Sequence, residues 1–489
     1  MNISEKKIPV NKILKVIYCL LFSGYAFYSA KIYAQNVNLE KEDMCYNCHA
    51  ILEGRLKTPA DLYKKDVHFE KGISCASCHG GNYKSDDVDI SMDSTAGFIG
   101  KPAPNKIAGI CSKCHSKQYS KFKNSVHGNS VSGKGAPISS CIVCHGIHDI
   151  SPVKSADSKV RSTNIVNTCN SCHGNASIIK RYNKNLPVNQ LKDYKTSVHG
   201  KGLLKGDRKV PSCISCHNHH DILRVSDENS PVNRINVMGT CNKCHGDSLY
   251  MSGYKIPFGQ YEKYKTSVHG KAFLEQKNPK APVCINCHGS HGINPPGTEK
   301  FSEVCGSCHV INAQMFKNSP HHKAFNEKGL NHCSTCHNQH DINHPTDEMI
   351  GAGEKSVCVK CHKDDKGIEM SVYMKKMIDS LMSEAEEANM LLGYAALKGM
   401  DVLDSKIDDN ELKQILITSR TSVHSSDPEI FKSKIEAGFK ITDEAKDIAE
   451  KAQNEYSLRK ILPWISVFFV AVIFVSGLFK LRKNKKVKE

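Results

Sequence analysis

The stretch YKTSVHG (Tyr194 to Gly200), CISCHNHHDI (Cys213 to Ile222) and CNKCHG (Cys241 to Gly246) decides how this chain is read. It contains two copies of CxxCH, two cysteines separated by two residues with a histidine directly after. The spacing lets both thiols bond the vinyl groups on one edge of a porphyrin while the adjacent histidine turns beneath the ring to bind iron. Around the motifs stand further histidines at recurring offsets, which read as ligands for the opposite face of each iron.

Working outward, CxxCH occurs eleven times. The triplets are Cys45, Cys48, His49; Cys75, Cys78, His79; Cys111, Cys114, His115; Cys141, Cys144, His145; Cys169, Cys172, His173; Cys213, Cys216, His217. They continue with Cys241, Cys244, His245; Cys284, Cys287, His288; Cys305, Cys308, His309; Cys333, Cys336, His337; and Cys358, Cys361, His362. This uses 22 of the 23 cysteines and 11 of the 25 histidines. Zinc knuckles pair two half-motifs and need no histidine after every second cysteine. A disulfide framework would not hold every cysteine to one spacing. The reading is therefore eleven covalent haem c sites.

Successive motifs start 21 to 44 residues apart, too little chain for separate protein cores. The porphyrins must supply the apolar interior, and an aromatic content of 7% fits a chain that borrows its aromatic mass. The expected fold is mainly α and irregular, with short helices wrapped around haems and little β-structure.

Two sets of histidines recur between the motifs. The first follows an aromatic and a small polar residue: YKKDVH (Tyr63 to His68), FKNSVHG (Phe122 to Gly128), YKTSVHG twice (ending at Gly200 and Gly270) and FKNSPHH (Phe316 to His322). These give His68, His127, His199, His269 and His321. On one continuous helix the aromatic would lie about 140° round from its histidine, facing a haem edge, and the following glycine suits a helix C-terminus. The second set stands three residues after a proximal histidine, in CHGIHD, CHNHHD, CHGSHG and CHNQHD, and gives His148, His220, His291 and His340. Histidines so close cannot bind one iron from opposite faces, so the second must serve a neighbouring haem. TSVHS (Thr421 to Ser425) repeats the first segment with no CxxCH behind it, and His424 is assigned as distal ligand for the last haem, which otherwise lacks one. His219, His322, His332 and His344 match neither pattern and are expected at the surface or on propionates.

These ten distal candidates face eleven proximal histidines. Six-coordinate haems transfer electrons, since neither face is open to substrate. The odd haem is expected near the N-terminal end, where GGN after His79 replaces the second-type histidine. No catalytic residue is assigned.

The ends set the address. Residues 1–34 carry Lys6, Lys7, Lys12 and Lys15, an apolar run from Val16 to Ala30 and small residues near Ala34, and read as a signal peptide, with an uncleaved anchor as the alternative. Cys19 lies in that run after Tyr18, against lipidation. The multihaem domain is assigned to 35–365 and a helical stalk to 366–460. Residues 461–479 are free of charge, matching a membrane-spanning helix with Trp464 at its interface and a break at Pro463. The tail 480–489 is basic, which by the positive-inside rule puts it in the cytoplasm and the haems in the periplasm. The formal net charge of +17 is no nucleic-acid signal, because each haem brings about two propionates.

The paired CxxCH motifs with interleaved SVHG and CHxxHD segments resemble the multihaem cytochromes c with doubled motifs, from Cys45 to His362. That class includes periplasmic tetrahaem carriers, membrane-anchored quinol dehydrogenases and, more distantly, hydroxylamine oxidoreductase and nitrite reductase. The resemblance implies bis-histidine haems in close stacked and perpendicular pairs. The chain has no CxxCK and its clear anchor is C-terminal. The expectation is an electron carrier in the cytoplasmic membrane. It would link a quinone-reactive membrane subunit, such as a b-type cytochrome, to periplasmic cytochromes or a terminal reductase. The alternative is an oxidoreductase of a small nitrogen or sulfur compound at one five-coordinate haem.

Overall fold

The computed structural model describes residues 39–132, 140–297, 300–402 and 409–485. The signal peptide with Cys19, and residues 486–489 of the basic tail, lie outside the described residues. Among the described residues there is no strand. The chain divides into two compact units, residues 1–244 with 289–294, and 245–288 with 295–489. The division falls inside the haem motifs rather than at the 365/366 step in composition.

In the first unit the motifs lie in short helices: Met44–Ile51, Cys75–His79, Pro104–Ser112, Cys141–His145, Ile165–His173 and Cys213–His217. Asp43, fully buried, caps the first by accepting from Tyr46 N–H (3.1 Å) and reaches the second by accepting from Cys75 N–H (2.9 Å). After the one-turn motif helices the chain must reverse at once. Gly80 and Gly146 do so with φ of 70° and 95°, and Asn218 with 63°. With ψ of −164° and −179° at Gly80 and Gly146, this backbone is free of strain only for glycine, which explains the CHG spelling, and Asn218 holds it at a cost.

The first-type histidine segments depart from the expected continuous helix. Each is a corner between two helices, as at Gln190–Thr196 and Val198–Leu204. Ser197 makes the corner: its hydroxyl donates to Tyr194 O (2.6 Å) and accepts from Gly200 N–H (2.9 Å). The glycine after the histidine thus sits in the first turn of a helix, not at its end. The reason is steric, because a Cβ at Gly200 would lie 1.9 Å from Tyr194 O. The aromatic is likewise redirected. Tyr194 donates its hydroxyl to Pro211 O (2.7 Å), two residues before the next motif, and Tyr63 does the same to Ile73 O (2.5 Å).

In the second unit the motif helices are Cys284–His288, Phe301–Gly306, His332–His337 and the 3-10 turn Cys358–Lys360. Beyond them stands a three-helix bundle, in which Lys366–Leu397 and Asp409–Ser422 both pack against Pro428–Lys485. Met374, Ile378, Leu381, Phe431 and Ile435 form one core, and Ala388, Leu392, Ala395, Ala445 and Ala449 another further along, so the two long helices run parallel, with Asp409–Ser422 between them in the chain. The helix from Pro428 is unbroken. Pro463 lies inside it, against the expected break, because the loss of one backbone hydrogen bond there bends rather than ends so long a helix.

The core is unevenly distributed. Among the described residues, 39–365 contain 14 buried apolar side chains, whereas the shorter 366–460 contain 15. The stalk has a protein core of its own; the motif region has a shell that needs another filling.

Candidate haem sites

Nine proximal histidines each face a second histidine ring. His68 stands 6.1 Å from His115 between ring centres, His127 6.2 Å from His173, His269 6.2 Å from His309 and His321 5.9 Å from His362. His148 faces His79 at 5.9 Å, His220 faces His145 at 6.1 Å, His291 faces His217 at 6.1 Å, His340 faces His288 at 5.9 Å and His424 faces His337 at 6.0 Å. A metal with bonds of about 2 Å to two imidazoles, whose ring nitrogens lie about 1.1 Å from their centres, holds those centres about 6.2 Å apart. Histidine pairs outside this set are closer: His219 is 4.6 Å from His220 and His322 is 5.1 Å from His332. His199 and His245 are each engaged in further contacts.

The pairing follows a rule. A first-type histidine meets the second motif downstream of it, and a second-type histidine meets the second motif upstream. His424 departs from the expectation for the last haem. It faces His337, while His321 faces His362, so a segment spelled like the first type fills a second-type place. Ring orientation divides the same way. The second-type pairs and His337–His424 lie 10° to 26° from parallel, whereas the first-type pairs are crossed by 38° to 77°.

Backbone bonds lock the two types together. The residue before a first-type histidine donates its N–H to the residue two after a second-type one: Val67 to Ile150 O (2.8 Å), Val126 to Ile222 O (2.8 Å), Val198 to Ile293 O (3.0 Å) and Val268 to Ile342 O (2.8 Å). Distal ligands for successive motifs are thereby held as one piece.

The thiols carry a second regularity. Cys111 lies close to Cys141, Cys169 to Cys213, and Cys305 to Cys333. At alternate steps the second cysteines are neighbours: Cys144 lies in the field of Cys172, and Cys336 in that of Cys358 and Cys361. Within each unit the attachment points follow in chain order, first-cysteine edges and second-cysteine edges meeting by turns.

Hydrogen bonds at Nδ1 leave Nε2 as the ligating atom. His49 donates to Leu56 O (2.9 Å), His79 to Gly100 O (2.6 Å) and His424 to Thr421 O (2.9 Å). Burial pushes the imidazole pKa of His127, His217 and His424 down, favouring the neutral form that binds metal. His68 is the exception. Its Nδ1–H donates to Asp66 (2.8 Å), which raises its pKa against the effect of burial. Burial alone would raise the Asp66 carboxyl, yet bonds from His68 and from Ile150 N–H (2.8 Å) hold it below the ordinary carboxylate range. His362 has a similar partner in Asp365 (2.7 Å).

The residues fit haem c. All 22 described cysteines are free of disulfides, the histidines stand a metal's width apart, and the buried Nε of Arg161 has no protein partner, as a propionate clamp would require. Of the unmatched histidines, His219 and His344 are exposed. His332 is buried, against the expected surface place, because both ring nitrogens are satisfied by Ser302 Oγ (2.9 Å) and Asn326 Oδ1 (2.7 Å).

Three family descriptions match parts of the chain. They are cytochrome c3 over 67–174, outer membrane cytochrome MtrC/MtrF-like, domains II/IV, over 138–302, and cytochrome c554 and c-prime over 25–80 and 304–385. No curated protein matches it.

Proposed function

We propose that the chain is a multihaem cytochrome c that carries electrons between a quinone-linked membrane partner and periplasmic redox proteins through eleven covalent haems. The nine facing histidine pairs carry this reading, because a haem closed on both faces exchanges electrons and nothing else. Haem supplies the one-electron chemistry; the protein sets order, orientation and potential.

Among the described residues one helix, within Pro428–Arg482, is long and apolar enough to cross a membrane. An α-helical span favours the cytoplasmic membrane, since the outer membrane is crossed by barrels. The match to an outer membrane cytochrome covers only motif-bearing residues. Basic residues after the span support a periplasmic haem region. Pro428 lies 33 residues before the apolar segment, about 50 Å along the helix axis. Such a stand-off supports a separate quinone-reactive subunit that reaches the haems, rather than quinol oxidation by this chain.

The test is haem reduction in native membranes supplied with a quinol-generating donor, before and after quinone extraction. Reduction should need quinone, and the purified protein in quinol-loaded liposomes should stay oxidised. Reduction indifferent to extraction would remove the quinone link; reduction in liposomes alone would remove the partner.

A further inference from the structure

We infer that the haem held by Cys45, Cys48 and His49 has an open sixth position, and that this position is a binding site for a small exogenous ligand with a carbon or nitrogen donor. The inference rests on the multihaem reading and adds to it a site of different chemistry.

All 25 histidines lie among the described residues, so the supply of distal ligands can be followed to its end. Nine are opposite other proximal histidines, and His199 is engaged in further contacts. His219 leans on His220 at 4.6 Å, His322 on His332 at 5.1 Å, and His332 has both nitrogens bonded. His344 is exposed and bonded to Pro345 O (2.9 Å). None of these stands opposite His49, whose recorded bond is the one from Nδ1 to Leu56 O.

The pairing rule explains the gap. The crossed pairs at His115, His173, His309 and His362 each draw their distal ligand from a segment lying two motifs back. For the motif at Cys45 that segment would fall within residues 1–44, which contain no histidine. The first rung of this series has no supplier. His49 itself is built like a ligand, with Nε2 free to bind. Its surroundings face solvent: Ile51 is 83% exposed and Leu56 50%.

The experiment uses full-length protein in detergent. Haem content is measured by pyridine haemochrome, and carbon monoxide is titrated into the reduced protein alongside low-temperature EPR of the ferric form. We expect eleven haems, one high-spin ferric signal and one carbon monoxide bound per chain. Replacing both Cys45 and Cys48 by alanine should remove one haem, the high-spin signal and carbon monoxide binding together. His424→Ala, which opens the haem at Cys333, should raise binding from one to two, and serves if the cysteine variant does not accumulate. Eleven haems with no ligand bound in the native protein, and one in His424→Ala, would overturn the open site while leaving the multihaem reading intact. A methionine-to-iron charge-transfer band that disappears with the Cys45 haem would overturn it too. Fewer than eleven haems in the native protein would instead overturn the underlying count.

Discussion

Asp66 shows how one side chain can set a redox property from outside the metal site. It accepts from the Nδ1–H of His68, and an imidazole so polarised is a stronger donor to ferric iron, which stabilises the oxidised state. His68 faces His115, so the haem concerned is the one at Cys111. Asp66→Asn weakens the bond and should raise that haem's potential by about 60 mV, a tenfold change in preference for a one-electron couple. Spectroelectrochemical titration reads it as one component moving among eleven; an unchanged envelope would refute the tuning role. Gly200 matters for a different reason. Its missing Cβ leaves room for Tyr194 O at a corner that aims His199, so Gly200→Ala should cost about 1–3 kcal/mol by overpacking. Gly393→Ala, whose added methyl meets nothing within 4 Å, is the control and should be neutral or slightly stabilising in chemical denaturation.

The stalk is an element with two tasks, and the composition step near residue 365 hides one of them. Its three helices share an ordinary apolar core, yet the stalk reaches into the haem region. His424 faces His337, Ser426 Oγ bonds His321 Nδ1 (2.8 Å), and Arg420 holds Asp347 with two bonds of 2.7 and 2.8 Å. Phe431 is fully buried seven residues after His424. Phe431→Ala should destabilise the helical bundle by about 3–5 kcal/mol and loosen the His424 side of the Cys333 haem. Far-UV circular dichroism in denaturant reads the first effect, and growth of a second high-spin signal the second. Ending the chain after Lys460 should release a soluble protein with all eleven haems and unchanged EPR, whereas ending it after Asp365 should open the haem at Cys333. Identical spectra from the two truncations would show that the stalk only anchors.

At the scale of the whole chain the design is periodic. Each of the nine facing pairs joins a motif to a segment two motifs away, so no single repeat closes its own site. The periodicity was legible from residues alone, because CxxCH spacing is dictated by one porphyrin edge and the recurrence of SVHG and CHxxHD marks the distal donors. The thinness of the core in the motif region was legible too, since motifs 21 to 44 residues apart leave too little chain to build a large one. Pairing was not. That His424 faces His337 rather than His362 depends on where the Asp409–Ser422 helix sets its last turn, a packing outcome with no local signature. The corners at Ser197 and Ser267 were misread as helix ends because a glycine in the first turn looks, in one dimension, like a glycine after the last. Covalent attachment is local chemistry, so the sequence by itself determined where the CxxCH motifs and the recurring histidines stand, and with them the residues proposed to hold haem. The facing histidines are 40 to 87 positions apart in the chain, and only the tertiary structure decided which histidine faces which.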